Sequence, residues 1–228
     1  MSLWTRIIDA LDALTSGEGL TEAMERLTTP PEKSVAFAIA AIGIGAKIAK
    51  ADGLVTRDEV RAFREVFNIP PEEEQNAARI FNLARQDVAG FETYARTIER
   101  MFRSDHQVLM DLLSGLFYIA MADGEYHPGE DRFLAKTAEI FGLSPREFAQ
   151  IRSRAVPGAQ PDPYTVLGVS PDDDLEVIRK AWRDLVKQSH PDQMIARGVP
   201  EEALQLANRQ LAAINDAWKQ VQADLGTR

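Results

Sequence analysis

Three histidines and no cysteine in 228 residues leave few side chains able to act as base, nucleophile or soft metal ligand. His190 stands in KQSHPDQ, with Asp192 two residues on and Pro191 between them. A base oriented by a carboxylate belongs to hydrolytic triads, but this pair straddles a proline tip with no nucleophile, oxyanion donor or enclosing pocket nearby. His106 and His127 fall at separate predicted helix starts, so no histidine metal triad forms either. Without cysteine, disulfides and thiolate zinc sites are excluded, which fits a reducing compartment.

Four carboxylates form a second constellation. Asp52-Gly53 with Glu59 and Asp123-Gly124 with Glu130 occur in two related stretches, AKADGLVTRDEV from Ala49 and AMADGEYHPGED from Ala120. An Asp-Gly turn followed by glutamate suggests a helix-loop-helix calcium site, whose twelfth position must be a bidentate glutamate. That position is Phe63 in one copy and Leu134 in the other, so neither loop is an EF-hand. The same residue types start helices. Thr56 and Glu59 make a T-x-x-E capping box, Pro128 suits a first helical position with Glu130 in the first turn, and Ser144 with Glu147 makes another box. A divalent cation shared by Asp52, Glu59, Asp123 and Glu130 is the alternative, and it requires the two copies to pack with pseudo-twofold symmetry.

The elements that must position these residues are helices. Nearly every segment has helical periodicity and no run alternates β-branched residues long enough for a strand, so the chain reads as all-α. The spacing predicts helices at about 3–14, 32–51, 57–67, 71–86, 90–102, 106–121, 129–141 and 145–153. The repeat makes each copy an apolar helix, a tight turn and a returning helix, and two copies make a bundle. The longest apolar run, Val35 to Ala46, is too short to span a bilayer, which takes roughly 20 residues, and reads as a core helix. Gly43 and Gly45 in it would permit the close approach that self-association through this helix needs. The N-terminal stripe of Trp4, Ile7, Ile8, Leu11 and Leu14 is an amphipathic helix rather than a signal peptide, and it packs on the domain or lies on a surface.

RAVPGAQPDP, Arg154 to Pro163, holds three prolines and a glycine and reads as a linker. Domains are accordingly expected at 1–153 and 163–228, with 154–162 between them. Beyond the linker, helices are predicted at about 163–167, 171–188 and 200–223, the second capped by Ser170 with Pro171 at its first position. Ile178, Ala181, Trp182 and Leu185 form its apolar stripe, facing Leu204, Leu211, Ile214, Ala217, Trp218 and Val221 across an antiparallel hairpin. His190, Pro191 and Asp192 then lie at the exposed tip, followed by a loop, MIARGVP. Lys180, Arg183 and Lys187 sit at about 0°, 300° and 340° around the first hairpin helix, one face, with Arg179 on its flank. The whole chain carries 26 − 35 = −9 charges, which disfavours nucleic acid, so this positive stripe is local.

Three segments carry a resemblance. Y-x-x-L-G-V (Tyr164, Leu167, Gly168, Val169), I-R-K-A-W-R-x-L from Ile178 running toward the HPD tripeptide, and A-x-I-N-x-A-W (Ala212 to Trp218) resemble the J-domain of DnaJ-type co-chaperones. The doubled A-D-G pattern on helices resembles the tellurite-resistance TerB-like domain, with His127-Pro128 before Glu130 in its second copy. Their order, and the extended loop His190 to Pro200, are similar to the DjlA-type J-protein group. Two departures are visible: Gln193 stands where a lysine usually follows HPD, and the N-terminus lacks the membrane span of enteric members.

The resemblance implies a TerB-like bundle joined to a helical-hairpin J-domain, and a co-chaperone rather than an enzyme. Its partner would be an ATP-bound DnaK-type chaperone, attracted by Lys180, Arg183, Lys187 and Arg179. Asp192 would pair with a chaperone arginine, Pro191 would fix the turn and His190 would hydrogen-bond at the contact. No cofactor is implied beyond the divalent cation of the acidic turns. The TerB-like domain would take a client, a membrane protein or a second copy of the chain, in the cytoplasm or peripherally at the inner membrane. The alternative is a TerB-like interaction or cation-sensing scaffold with an incidental J-domain.

Overall fold

The computed structural model describes residues 6–8, 38–39, 41–46, 69, 71–79, 91–121, 126–156 and 162–226, and among them every regular element is helical. Eight helices are described from end to end: α1 (Phe91–Phe102), α2 (His106–Ala120), α3 (Pro128–Ile140), α4 (Pro145–Ala155), α5 (Pro163–Leu167), α6 (Leu175–Gln188), α7 (Pro191–Ala196) and α8 (Leu204–Gly226). A 3-10 turn, Glu201–Ala203, leads into α8, and another, Pro71–Glu73, opens a helical segment over 74–79. No helix among the described residues is long and apolar enough to cross a membrane.

The first four helices pack on one another as a bundle because their starts are locally specified and their apolar stripes need cover. Asp105 accepts from the Val108 N–H to cap α2. Glu130 reaches back to the His127 N–H at 2.8 Å ahead of α3, and Glu147 to the Ser144 N–H at 2.7 Å ahead of α4. Capping therefore employs Glu130 and Glu147 as the sequence suggests. Thr56 and Glu59 lie outside the described residues, as do Asp52, Asp123 and the helix expected at about 57–67.

The helix α2 is the axis of this core: Leu109, Leu112, Leu113, Leu116 and Phe117 are all buried. Ala38, Ile39, Ile42 and Ile44 pack into the same cluster, so the described part of the apolar run is helical and lies in the core. A Cβ on Gly43 would come within 2.8 Å of the Tyr94 ring, and one on Gly45 within 3.3 Å of Ile119. The close approach these glycines allow is thus made inside the chain, to Tyr94 and Ile119.

The C-terminal hairpin forms as expected, with three differences. First, α6 begins at Leu175 rather than near 171. The Ser170 N–H donates to Asp173 Oδ2 at 2.7 Å and the Asp172 N–H to Ser170 Oγ at 3.3 Å, and such side-chain bonds hold a turn in competition with the helix. Second, the segment after His190 is not a loop: Pro191 is the first residue of the six-residue helix α7. Third, the stripe of α8 is shifted in its first half. Leu206 and Ala207, with Ala203 of the preceding 3-10 turn, are buried, whereas Leu204 and Leu211 are only partly so.

That shift has a consequence for the whole chain. Met194, Val199, Ala203, Leu206 and Ala207 belong to the core of the bundle, while Ile214, Ala217, Trp218 and Val221 pack with Tyr164, Leu167 and Ile178. One continuous stripe of α8 is therefore divided between two clusters. Helix α4 extends through Ala155, into the stretch read as linker, and packs on both α5 and α8. Arg154 clasps the Val166 carbonyl from Nε (3.1 Å) and Nη2 (2.9 Å), and Arg146 donates to the Gly168 carbonyl.

Candidate functional site

The rigidity of α6 is what displays its cations. Ile178 is fully buried beneath it, and Trp182 donates its indole N–H to Asn215 Oδ1 on α8 at 3.1 Å while stacking on Trp218 with 5.1 Å between ring centres. Stacked, hydrogen-bonded indoles fix the azimuth of the helix. Lys180, Arg183 and Lys187 consequently all face solvent, and none is drawn into an ion pair among the described residues. Arg179 behaves differently: it is half-buried and pairs with Glu176 at 2.7 Å, so its charge is partly neutralised in place. Asp184, exposed, flanks the stripe.

At the end of α6 the chain turns at Ser189, which is buried, and His190 becomes the N-cap of α7. Its Nδ1 accepts from the Asp192 N–H at 3.3 Å, so the imidazole satisfies one of the unpaired donors of the helix start. Pro191 suits the next position because its missing N–H would have had no partner there. Asp192, whose side chain is 84% exposed, lies at the positive end of the short helix with an oxygen 3.7 Å from His190 Nδ1. A groove of about 260 Å³ runs beside this tip, lined by Trp182, Arg183, Val186, Lys187, His190 and Asp192. The tip is thus open and ordered, with an outward carboxylate next to a positive helix face.

The acidic constellation is not brought together among the described residues. Glu130 is buried with its carboxylate accepting from the His127 backbone, and no cluster of three metal-ligating side chains occurs among the described residues. Asp52, Glu59 and Asp123 lie outside them.

Sequence reasoning missed a further contact at the tip. Arg197 closes α7 and extends its guanidinium across to the bundle, where Nε (3.2 Å) and Nη2 (2.7 Å) both donate to Oδ2 of Asp111 on α2. The same Nη2 donates to the Gln188 carbonyl at the end of α6 at 2.9 Å. Gln107 donates to the other carboxylate oxygen at 3.2 Å, so Asp111 is satisfied on both sides although only 1% exposed. Burial pushes its pKa up to about 6, against the opposing pull of Arg197 and Gln107 and with a small push from Asp105. The one local signal was Asp111 itself, a carboxylate inside the apolar run VLMDLLSGLF.

With α1–α4 forming a bundle and α5–α8 a hairpin with an HPD tip, the fold and site define a helical-bundle J-domain protein. Two family models match: "Tellurite resistance protein TerB" over residues 38–153 and "DnaJ domain" over residues 162–224. The chain belongs to the TerB family and carries a J-domain behind it, the architecture of a DjlA-type J-protein, a co-chaperone and not itself an enzyme. It is similar to the co-chaperone protein DjlA of Coxiella burnetii, 28% identical with 76% of this chain and 72% of that one covered. Against the co-chaperone protein DjlA of Escherichia coli K12 identity is 23% with 99% of both chains covered, and against that of Aliivibrio fischeri 24% with 86% and 81%. No solved structure matches significantly.

Proposed function

We propose that this chain docks its J-domain on the ATP-bound form of a DnaK-type chaperone and stimulates ATP hydrolysis there. Lys180, Arg183 and Lys187 supply attraction to an acidic chaperone surface, with a smaller share from Arg179 because Glu176 already engages it. Charge pairing of this kind chiefly raises the association rate. After docking, Asp192 pairs with a chaperone arginine, Pro191 holds the helix start and His190 hydrogen-bonds at the contact, biasing the partner toward its hydrolysis-competent state. The observation that carries this reading is the exposed His190–Asp192 tip continuous with the exposed cationic face of Lys180, Arg183 and Lys187. In a single-turnover assay the chain should accelerate hydrolysis by a DnaK-type chaperone and His190→Gln should return it to background. Equal stimulation by both proteins would sink the mechanism.

The bundle, on this proposal, recruits a client or partner protein in the cytoplasm or at the membrane surface. A cation at Asp52, Glu59, Asp123 and Glu130 is a separate proposal. Calorimetric titration with calcium and other divalent ions should then show binding that the double change Asp52→Asn, Asp123→Asn abolishes. Unchanged heats would return those carboxylates to helix capping, the role Glu130 already fills toward His127.

A further inference from the structure

We propose that Asp111 and Arg197 are positioning residues for the HPD segment, so that the bundle sets the geometry of the tip through which the J-domain acts. The inference rests on the reading of that tip as the effector of a chaperone. Its basis is the path of one guanidinium. Arg197 stands at the C-terminal end of the short helix that His190 opens, and it returns to the Gln188 carbonyl two residues before that histidine. The ten residues from Gln188 to Arg197 are thereby closed into a loop whose two ends share one donor.

What fixes that donor is outside the J-domain. Asp111 Oδ2 receives two N–H groups of the guanidinium; Asp111 is buried and Arg197 largely so, with side-chain exposures of 1% and 16%. A charge-assisted fork of this kind restricts orientation as well as distance. Without Asp111 only the single bond to the Gln188 carbonyl would hold the guanidinium across the end of α6. The apolar side of the loop is anchored in the same place, because Met194 and Val199 belong to the core of the bundle and are 0% and 1% exposed.

The opposite side of the loop is free. The cationic face of α6 and the side chains of His190 and Asp192 point to solvent, so the bundle supports the tip without covering it. Encounter with a chaperone depends on the cations, whereas transmission after docking depends on the order of the tip. Loosening Asp111–Arg197 should therefore lower maximal stimulation and leave the half-saturating concentration nearly unchanged.

The experiment uses the full chain and the variants Asp111→Asn and Arg197→Lys. Lysine keeps the cation but loses the fork, so it cannot hold Asp111 and the Gln188 carbonyl together. Hydrogen exchange, read without any chaperone, should show backbone amides at Ser189, His190 and Asp192 exchanging on the order of tenfold faster in Asp111→Asn, with α1 and the middle of α6 unchanged. Single-turnover hydrolysis by a DnaK-type chaperone should show maximal stimulation reduced about fivefold in Asp111→Asn and less in Arg197→Lys. Unaltered exchange at the tip in folded variants, or unaltered maximal stimulation despite faster exchange, overturns the proposal. If Asp111→Asn does not fold, Arg197→Lys decides by the same two readings. A parent chain that fails to stimulate refutes the docking reading instead, and the exchange arm still reports on the tie.

Discussion

Removing one member of a buried ion pair strands the other. Arg197→Leu would leave the Asp111 carboxylate with Gln107 as its remaining donor, and a loss of about 3 kcal/mol is expected, read as a lower urea midpoint at unchanged slope. Asp111 also gives stability a pH dependence of unusual sign for a carboxylate. Its folded pKa of about 6 exceeds the ordinary value of 3.8, so between those limits the folded state binds more protons than the unfolded one. Its contribution to stability therefore falls as pH rises through that window and levels off above pH 6. The charged groups that act on it are Arg197, Asp105 and the more distant Arg154, whose own pKa burial lowers to about 10. Asp111→Asn should flatten this slope in urea titrations between about pH 4 and 7. Among single residues, those with local roles were legible: Ser144, Glu147 and Pro128 announce helix starts from neighbours within three positions. Arg197 was not, because its partner lies 86 residues away and no periodicity in either segment connects them.

At the scale of elements, α8 decides whether bundle and hairpin are separate. Its stripe passes from Leu206 and Ala207 in one cluster to Ile214, Trp218 and Val221 in the other. Leu206→Ala should cost about 2–5 kcal/mol and should reduce exchange protection in α4 and α5 as well as in α8. Unchanged protection in α4 and α5 would mean that the contact is not shared between the two parts. Periodicity located α8 and the half of its stripe that meets α6, since Ile214, Ala217, Trp218 and Val221 repeat at helical spacing. It misplaced the other half, choosing Leu204 and Leu211 over Leu206 and Ala207, because spacing within the helix does not say which of its sides meets the bundle. The start of α6 was misread for a related reason: Ser170 and Asp173 are good cap residues, yet here Asp173 accepts from the Ser170 N–H and Ser170 Oγ from the Asp172 N–H, and the two hold a turn.

At the scale of the molecule, the proposed docking has a chain of net charge −9 meet its partner through a local positive face. Stopped-flow association with a DnaK-type chaperone should slow on the order of tenfold between about 0.05 and 0.5 M salt, as screening shortens the reach of exposed charges. Lys180→Ala with Lys187→Ala should remove most of that dependence, while His190→Gln should leave it intact. By itself the sequence determined the helical class, the repeat, the hairpin and the exposed tip, because caps, turns and apolar stripes are encoded within a few neighbouring residues. Only the tertiary structure decided that Pro191 opens a helix, that one stripe of α8 serves two cores, and that Asp111 meets Arg197. Those outcomes depend on which helix faces which across long chain separations, and packing of that kind leaves no fixed spacing in a single sequence.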